Sequence, residues 1–103
     1  MKVGFAVLYR WRLKAGSEES FVDAWTKMTE RIKQECGGLG SRLHQVEDGT
    51  WAAYAQWPDR KTWAAMQRRD SIDKIASAQM REAIEESFAP VLMTVRKDDL
   101  SFD

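Results

Sequence analysis

The chain has 103 residues, enough for one domain and too few for a second hydrophobic core. Lysine and arginine total 16 and aspartate and glutamate total 16, so the chain lacks the basic excess of a dedicated nucleic-acid binder. The single cysteine, Cys36, has no internal disulfide partner, which fits a reducing compartment.

Residues 3–13 alternate. Val3, Phe5, Val7, Tyr9, Trp11 and Leu13 form one bulky apolar face, and Gly4, Ala6, Leu8, Arg10 and Arg12 form the other. This period of two predicts a strand. The apolar opening is cut off by Arg10, Arg12 and Lys14 with no small-residue cleavage site after them, so a signal peptide is not expected. No run approaches the roughly 20 apolar residues that a membrane-spanning helix needs. A cytoplasmic protein is the expectation.

Lys14-Ala15-Gly16 reads as a turn, and Ser17 as a cap for a helix with Glu18 and Glu19 in its first turn. Phe21, Trp25, Met28 and Ile32 give that helix an apolar stripe. Cys36 extends the stripe as a half-buried packing residue, and Gly37-Gly38 stop it. Residues 39–46 are expected to form a second strand, Asp48-Gly49 a hairpin turn, and 51–57 a third strand closed by Pro58. Asp59 can cap a short helix through Gln67 that carries Trp63 and Met66. After Arg68-Arg69-Asp70, Ser71 is the expected cap of another helix, striped by Ile72, Ile75, Ala76, Met80, Ala83 and Ile84 and ending near Ser87. Pro90 blocks continuation, and residues 91–95 form the last strand. The polar tail 97–103 holds Leu100 and Phe102, which either pack on a partner or fray.

The order predicts a single α+β domain over 1–103, a ferredoxin-like β-α-β-β-α-β arrangement with a four-stranded antiparallel sheet. Its helices cover one sheet face only. The other is expected to carry Ala6, Leu8 and some of Leu43 or Val46, Ala52 or Tyr54, and Leu92, an apolar surface suited to a second copy of the chain. A chain this short buries only a little over roughly 60% of its unfolded surface, so pairing would also help its stability.

Some chemistries find no support. One histidine and one cysteine provide no metal-ligand cluster. Gly37-Gly38-x-Gly40 follows a helix where a phosphate loop would open one. Five tryptophans, at 11, 25, 51, 57 and 63, serve as core, interface or the wall of an aromatic pocket.

The segment from Tyr9-x-Trp11-x-Leu13-Lys14-x-Gly16 to Phe21 and Trp25 resembles the opening of antibiotic biosynthesis monooxygenase-like proteins. So do Gly38-Leu39-Gly40-Ser41-Arg42-Leu43-His44, Asp48-Gly49 and Ala53-Tyr54-Ala55-Gln56-Trp57-Pro58, over roughly residues 3–100 in all. The resemblance implies a dimeric α+β barrel with a pocket between helices and sheet in each subunit. It also implies oxygenation of aromatic substrates without a cofactor in some members and haem degradation in others. The haem-degrading branch places an asparagine, a tryptophan and a histidine where this chain has Tyr9, Met66 and Ala76, which disfavours that activity here.

Oxygenation without a cofactor requires an electron-rich substrate, an apolar aromatic cavity, a base or hydrogen-bond acceptor, and a donor to the developing oxyanion. Tyr9 and His44 are the candidate catalytic residues, against packing for Tyr9 and an interface or edge position for His44. Trp25, Trp63 and Met66 are the candidate pocket walls, against plain core packing. Leu8, Arg42, Tyr54 and Gln56 are the candidate dimer contacts, with Arg42 alternatively holding an anionic substrate group. The expected function is a cofactor-independent, monooxygenase-like enzyme acting on a small phenol, hydroquinone or anthrone. A non-catalytic ligand-binding or regulatory homodimer is the alternative, and an isomerase or cyclase in the same pocket is a third reading.

Overall fold

A computed structural model describes residues 2–100. Its elements run β1 (Phe5–Leu13), α1 (Glu18–Glu35), β2 (Ser41–Gln45), β3 (Trp51–Trp57), α2 (Arg60–Gln67), α3 (Lys74–Ala83), β4 (Ile84–Ser87) and β5 (Val91–Thr94). The sheet is antiparallel in the order β2-β3-β1-β4, with β5 also on β1. β4 pairs with Trp11–Leu13 and β5 with Phe5–Leu8, so the two share one edge as halves of a broken strand. The sheet is therefore four strands wide, in ferredoxin-like order. Within one chain it is an open sheet with two edges.

Alternation sets the core. Phe5, Val7 and Trp57 are at most 2% exposed and pack with Ile32, Cys36, Trp63, Met66 and Leu92 beneath the helices. Fully burying a side chain of the size of Phe21 contributes about 1.5–3 kcal/mol before entropy is counted. At Gly4 the chain passes so close to Pro58 that a Cβ would run into the Pro58 carbonyl. Gly37 ends α1 at φ 79°, a left-handed conformation that L side chains rarely adopt. The next residue, Gly38, leaves no room for a Cβ, which would lie 2.8 Å from Ile32 Cγ2.

Four expectations need correction. The last helix does not run to Ser87: it ends at Ala83, and 84–87 become β4. The reason is non-local, because the upper half of β1 has an open edge. Lys14 N–H donates to the Ala83 carbonyl at 2.8 Å and Phe88 N–H to the Arg10 carbonyl at 3.0 Å, bracketing the new strand. That helix is capped by Asp73, which accepts from Ala76 N–H at 2.9 Å, while Ser71 hydrogen-bonds the Asp73 backbone. Ser17 stands at the start of α1 but makes no side-chain capping bond. Finally, Leu43 pairs with Ala53 and Leu92 with Val7, which puts both on the helix side of the sheet. On the open side the matching positions belong to Val91 and Met93, opposite Leu8 and Ala6. Phe102 lies outside the described residues. Among the described residues no helix is long and apolar enough to cross a membrane.

Candidate functional site

A cavity of about 380 Å³ lies between the sheet and the helices, within the roughly 300–1,000 Å³ usual for small-molecule sites. One face of α1 lines it with Trp25, Met28, Thr29, Ile32 and Lys33, the spacing of a single helix stripe. The sheet contributes Tyr9, Trp11, Ala55 and Trp57. The third wall is Met66 at the end of α2, the linker residues Arg69–Ile72, and Ser77 and Met80 of α3. Three methionines thus share the lining with three tryptophans, giving polarisable, adaptable walls suited to a flat aromatic guest.

Strand alternation sends Tyr9 into this space, and its neighbours then fix it. Its ring stacks on Trp11 at 5.9 Å between centroids and 7° between planes. Trp11 in turn meets Phe21 edge-on at 5.1 Å. On the other side Trp63 Nε1 donates to Tyr9 Oη at 2.9 Å, and Trp63 packs on Phe5 at 5.7 Å. Burial pushes the Tyr9 hydroxyl above its ordinary pKa of 10.0, and the Trp63 hydrogen bond offsets this in part. The side chain is therefore neutral at pH 7. Because its oxygen already accepts from Trp63, its own proton is free to be donated to a guest. Burial thus favours the protonated hydroxyl, which suits Tyr9 to donating a hydrogen bond more than to acting as a base.

Caps and ties position the third wall. Asp59 accepts from Thr62 N–H and Thr62 Oγ1, both at 2.7 Å, which starts α2 and holds the Asp59 carboxyl below its usual range. Asp73 starts α3, and its carboxylate lies 3.9 Å from Arg31 of α1. Gln79 Nε2 donates to the Ser20 carbonyl at 2.9 Å, tying α3 to the first turn of α1. The linker 68–73 thus spans two fixed ends over the cavity.

Of the residues singled out from sequence, Tyr9, Trp25 and Met66 meet on this cavity. Trp63 stands behind Tyr9 as its hydrogen-bond donor and is not part of the lining. His44 is elsewhere. It is opposite Ala52, on the sheet face that carries Arg10 and Leu8, with Nδ1 at 3.4 Å from the Ala52 carbonyl. The sheet separates it from Tyr9, so the two candidate catalytic residues do not share a site. Leu8 pairs with Tyr54, Tyr54 with Arg42, and Ala6 with Gln56, which gathers the four candidate interface residues on the open face. Gln56 also borders the cavity, where β3 runs beside Gly40.

Trp11, Trp57, Met28, Met80, Lys33 and the linker were not singled out as pocket residues from sequence. The signal for Met28 and Lys33 was present, since each follows Trp25 at a helical interval. Trp57 is 2% exposed, and its Nε1 is a buried donor with no partner among the described residues. Among the described residues no three His, Cys, Asp or Glu side chains gather closely enough to hold a metal ion.

Comparison with known structures bears on the fold. SnoaB, a cofactor-independent oxygenase from Streptomyces nogalater, is similar with a TM-score of 0.77 at 14% identity, over 97% of this chain and 100% of that one. A conserved protein from Methanosarcina mazei Go1 gives a TM-score of 0.72 at 15% identity, over 89% and 92% of the two chains. Rv0793 from Mycobacterium tuberculosis gives 0.73 at 14% identity, over 93% and 98%. No curated protein sequence matches the chain. The sequence does match the antibiotic biosynthesis monooxygenase family over residues 4–88. The match spans every element from β1 to β4 and both helical walls of the cavity, and the chain belongs to that family.

Proposed function

We propose that the chain is a cofactor-independent oxygenase of small electron-rich aromatics, of the anthrone, phenol or hydroquinone type, and that it works as a homodimer. The observation that carries this reading is the Tyr9 hydroxyl, held by Trp63 inside an aromatic and methionine-lined cavity. The solved structure of SnoaB, described as a cofactor-independent oxygenase, supports it by likeness of fold.

For an anthrone the balance is simple. The substrate CH₂ and one dioxygen become a carbonyl and one water, and the substrate supplies all four electrons. Loss of a C–H proton to solvent at the open mouth gives an enolate whose charge rests on the ring oxygen. Tyr9 donates its proton in a hydrogen bond to that oxygen, stabilising the enolate more than the neutral substrate. The enolate reduces dioxygen and forms a carbon–oxygen bond, the peroxide anion takes back a proton from solvent, and the hydroperoxide loses water to leave the carbonyl. The stacked Trp11 and the walls Trp25 and Trp57 hold the ring system and exclude bulk water.

The dimer part of the proposal rests on the open sheet face. Leu8, Tyr54, Val91 and Met93 lie there on adjacent strands, beyond reach of the chain's own helices. Stacking two such faces through a two-fold axis buries them and closes the barrel. Arg42 and His44 then lie in or beside the interface.

Oxygen consumption with a panel of anthrones and hydroquinones tests the chemistry. Uptake faster than without protein supports it. If aromatic ligands saturate tryptophan fluorescence while none accelerates oxygen uptake, the chain is instead a non-catalytic ligand-binding dimer.

A further inference from the structure

We infer that the aromatic guest carries an anionic group, a carboxylate or an acidic phenolate, held at the mouth of the cavity by Lys33 and Arg69. This rests on the cavity being the substrate site, and it names the substrate class more narrowly. The lining is polarised from floor to mouth. Its floor is Trp57 and the half-buried Tyr9 and Trp25, whereas Lys33, Arg69 and Asp70 are exposed. Lys33 follows Trp25 by eight residues, about 12 Å along the helix at 1.5 Å per residue. A fused ring system lying beside Tyr9 therefore has room to reach the cations with its far end.

Neither cation is neutralised by a close carboxylate. Among the described residues Lys33 and Arg69 make no ion pair within 4.0 Å. Arg69 Nη1 lies 3.7 Å from Cys36 Sγ, at the end of α1, which places the guanidinium one turn beyond Lys33. The nearby Glu35 carboxylate is held chiefly by Arg31 at 2.8 Å and only at longer range by Arg69, and Asp73 faces Arg31 at 3.9 Å. Among the described residues Asp70 is the one carboxylate on the cavity lining, set against two cations. The mouth thus has a net positive charge, next to an apolar floor that accepts only uncharged surface. A neutral hydrophobic guest satisfies the floor alone, whereas an aromatic acid satisfies both ends.

The test compares anthraquinone-2-carboxylic acid with its carboxamide, by quenching of tryptophan fluorescence. At low ionic strength the acid is expected to bind roughly three- to tenfold tighter than the amide, the sum of two exposed ion pairs. Raising the salt to about 0.5 M shrinks the ratio towards one. In the double variant Lys33→Met, Arg69→Met the acid-to-amide ratio falls to one, whatever the change in the amide's own affinity. Equal binding of acid and amide to the unaltered protein overturns the inference, as does a preference that survives in the double variant. The readout is independent of turnover: acid preference without oxygen uptake removes the oxygenase and keeps the anchor, and uptake without acid preference does the reverse.

Discussion

The hydrogen bond from Trp63 to Tyr9 is open to a double-mutant cycle with the variants Tyr9→Phe, Trp63→Phe and the pair. Trp63 Nε1 lies 2.9 Å from Tyr9 Oη in a partly buried setting, and both rings keep their aromatic neighbours in the phenylalanine variants. A neutral hydrogen bond contributes a net of about 0.5–1.5 kcal/mol, and each single variant strands a buried partner at a cost of about 1–3 kcal/mol. Tyr9→Phe is therefore expected to cost about 1–2 kcal/mol. Trp63→Phe should cost about 2–4 kcal/mol, because it also removes part of a large ring from the core. The pair should cost less than the sum by about 1 kcal/mol. Urea denaturation followed by circular dichroism, at one protomer concentration throughout, measures all four corners. A coupling within about 0.3 kcal/mol of zero would refute the view that this bond holds the tyrosine.

Other expectations follow from the same geometry. Tyr9 titrates above 10.0 when folded, so its contribution to stability is fully present below that pH and is lost as pH rises through the folded value. Chemical denaturation between pH 8 and 11 should show this alkaline loss reduced in Tyr9→Phe; identical pH profiles would contradict it. Asp73→Ala removes the bond to Ala76 N–H and the approach to Arg31, and should cost about 0.5–2 kcal/mol. It should also weaken anthraquinone binding, because the linker over the cavity loses one anchor; unchanged affinity in titrations would show that the linker is held otherwise. Leu8→Glu places a charge at the centre of the open sheet face, opposite Tyr54 and Val91. Light scattering should find dimers for the unaltered chain and monomers for the variant, and the same mass for both would place the interface elsewhere.

Most of the scaffold was legible because its signals are local. The alternation of residues 3–13 identifies both faces of β1, and the third strand falls at 51–57 as its flanking turn and Pro58 require. The stripe from Phe21 to Ile32, ended by Gly37 in a left-handed conformation, marks α1. What escaped depends on distant partners. Ile84-Glu-Glu-Ser continues a helical stripe from Met80 and Ala83, and only the unpaired upper edge of β1 turns it into a strand. The face of His44 could not be read because β2 has a weak pattern, and its register comes from pairing with β3. Among the cavity walls, the linker Arg69–Ile72 has no periodicity to betray that it lies over an opening. The alternation of β1 places Tyr9 on the face towards the helices, where it lines the cavity, but no local pattern marks Trp63, fifty-four residues on, as its hydrogen-bond donor.

The most direct test of the account is oxygen uptake by the unaltered chain and by Tyr9→Phe, with dithranol or a related anthrone as substrate and electrode readings corrected for spontaneous oxidation. Loss of one oxyanion donor is expected to lower the turnover rate by roughly 10²–10³-fold while leaving anthraquinone binding nearly unchanged, since the aromatic walls remain. Equal rates in the two proteins would contradict a role for the Tyr9 hydroxyl, and no acceleration by either would contradict the oxygenase itself.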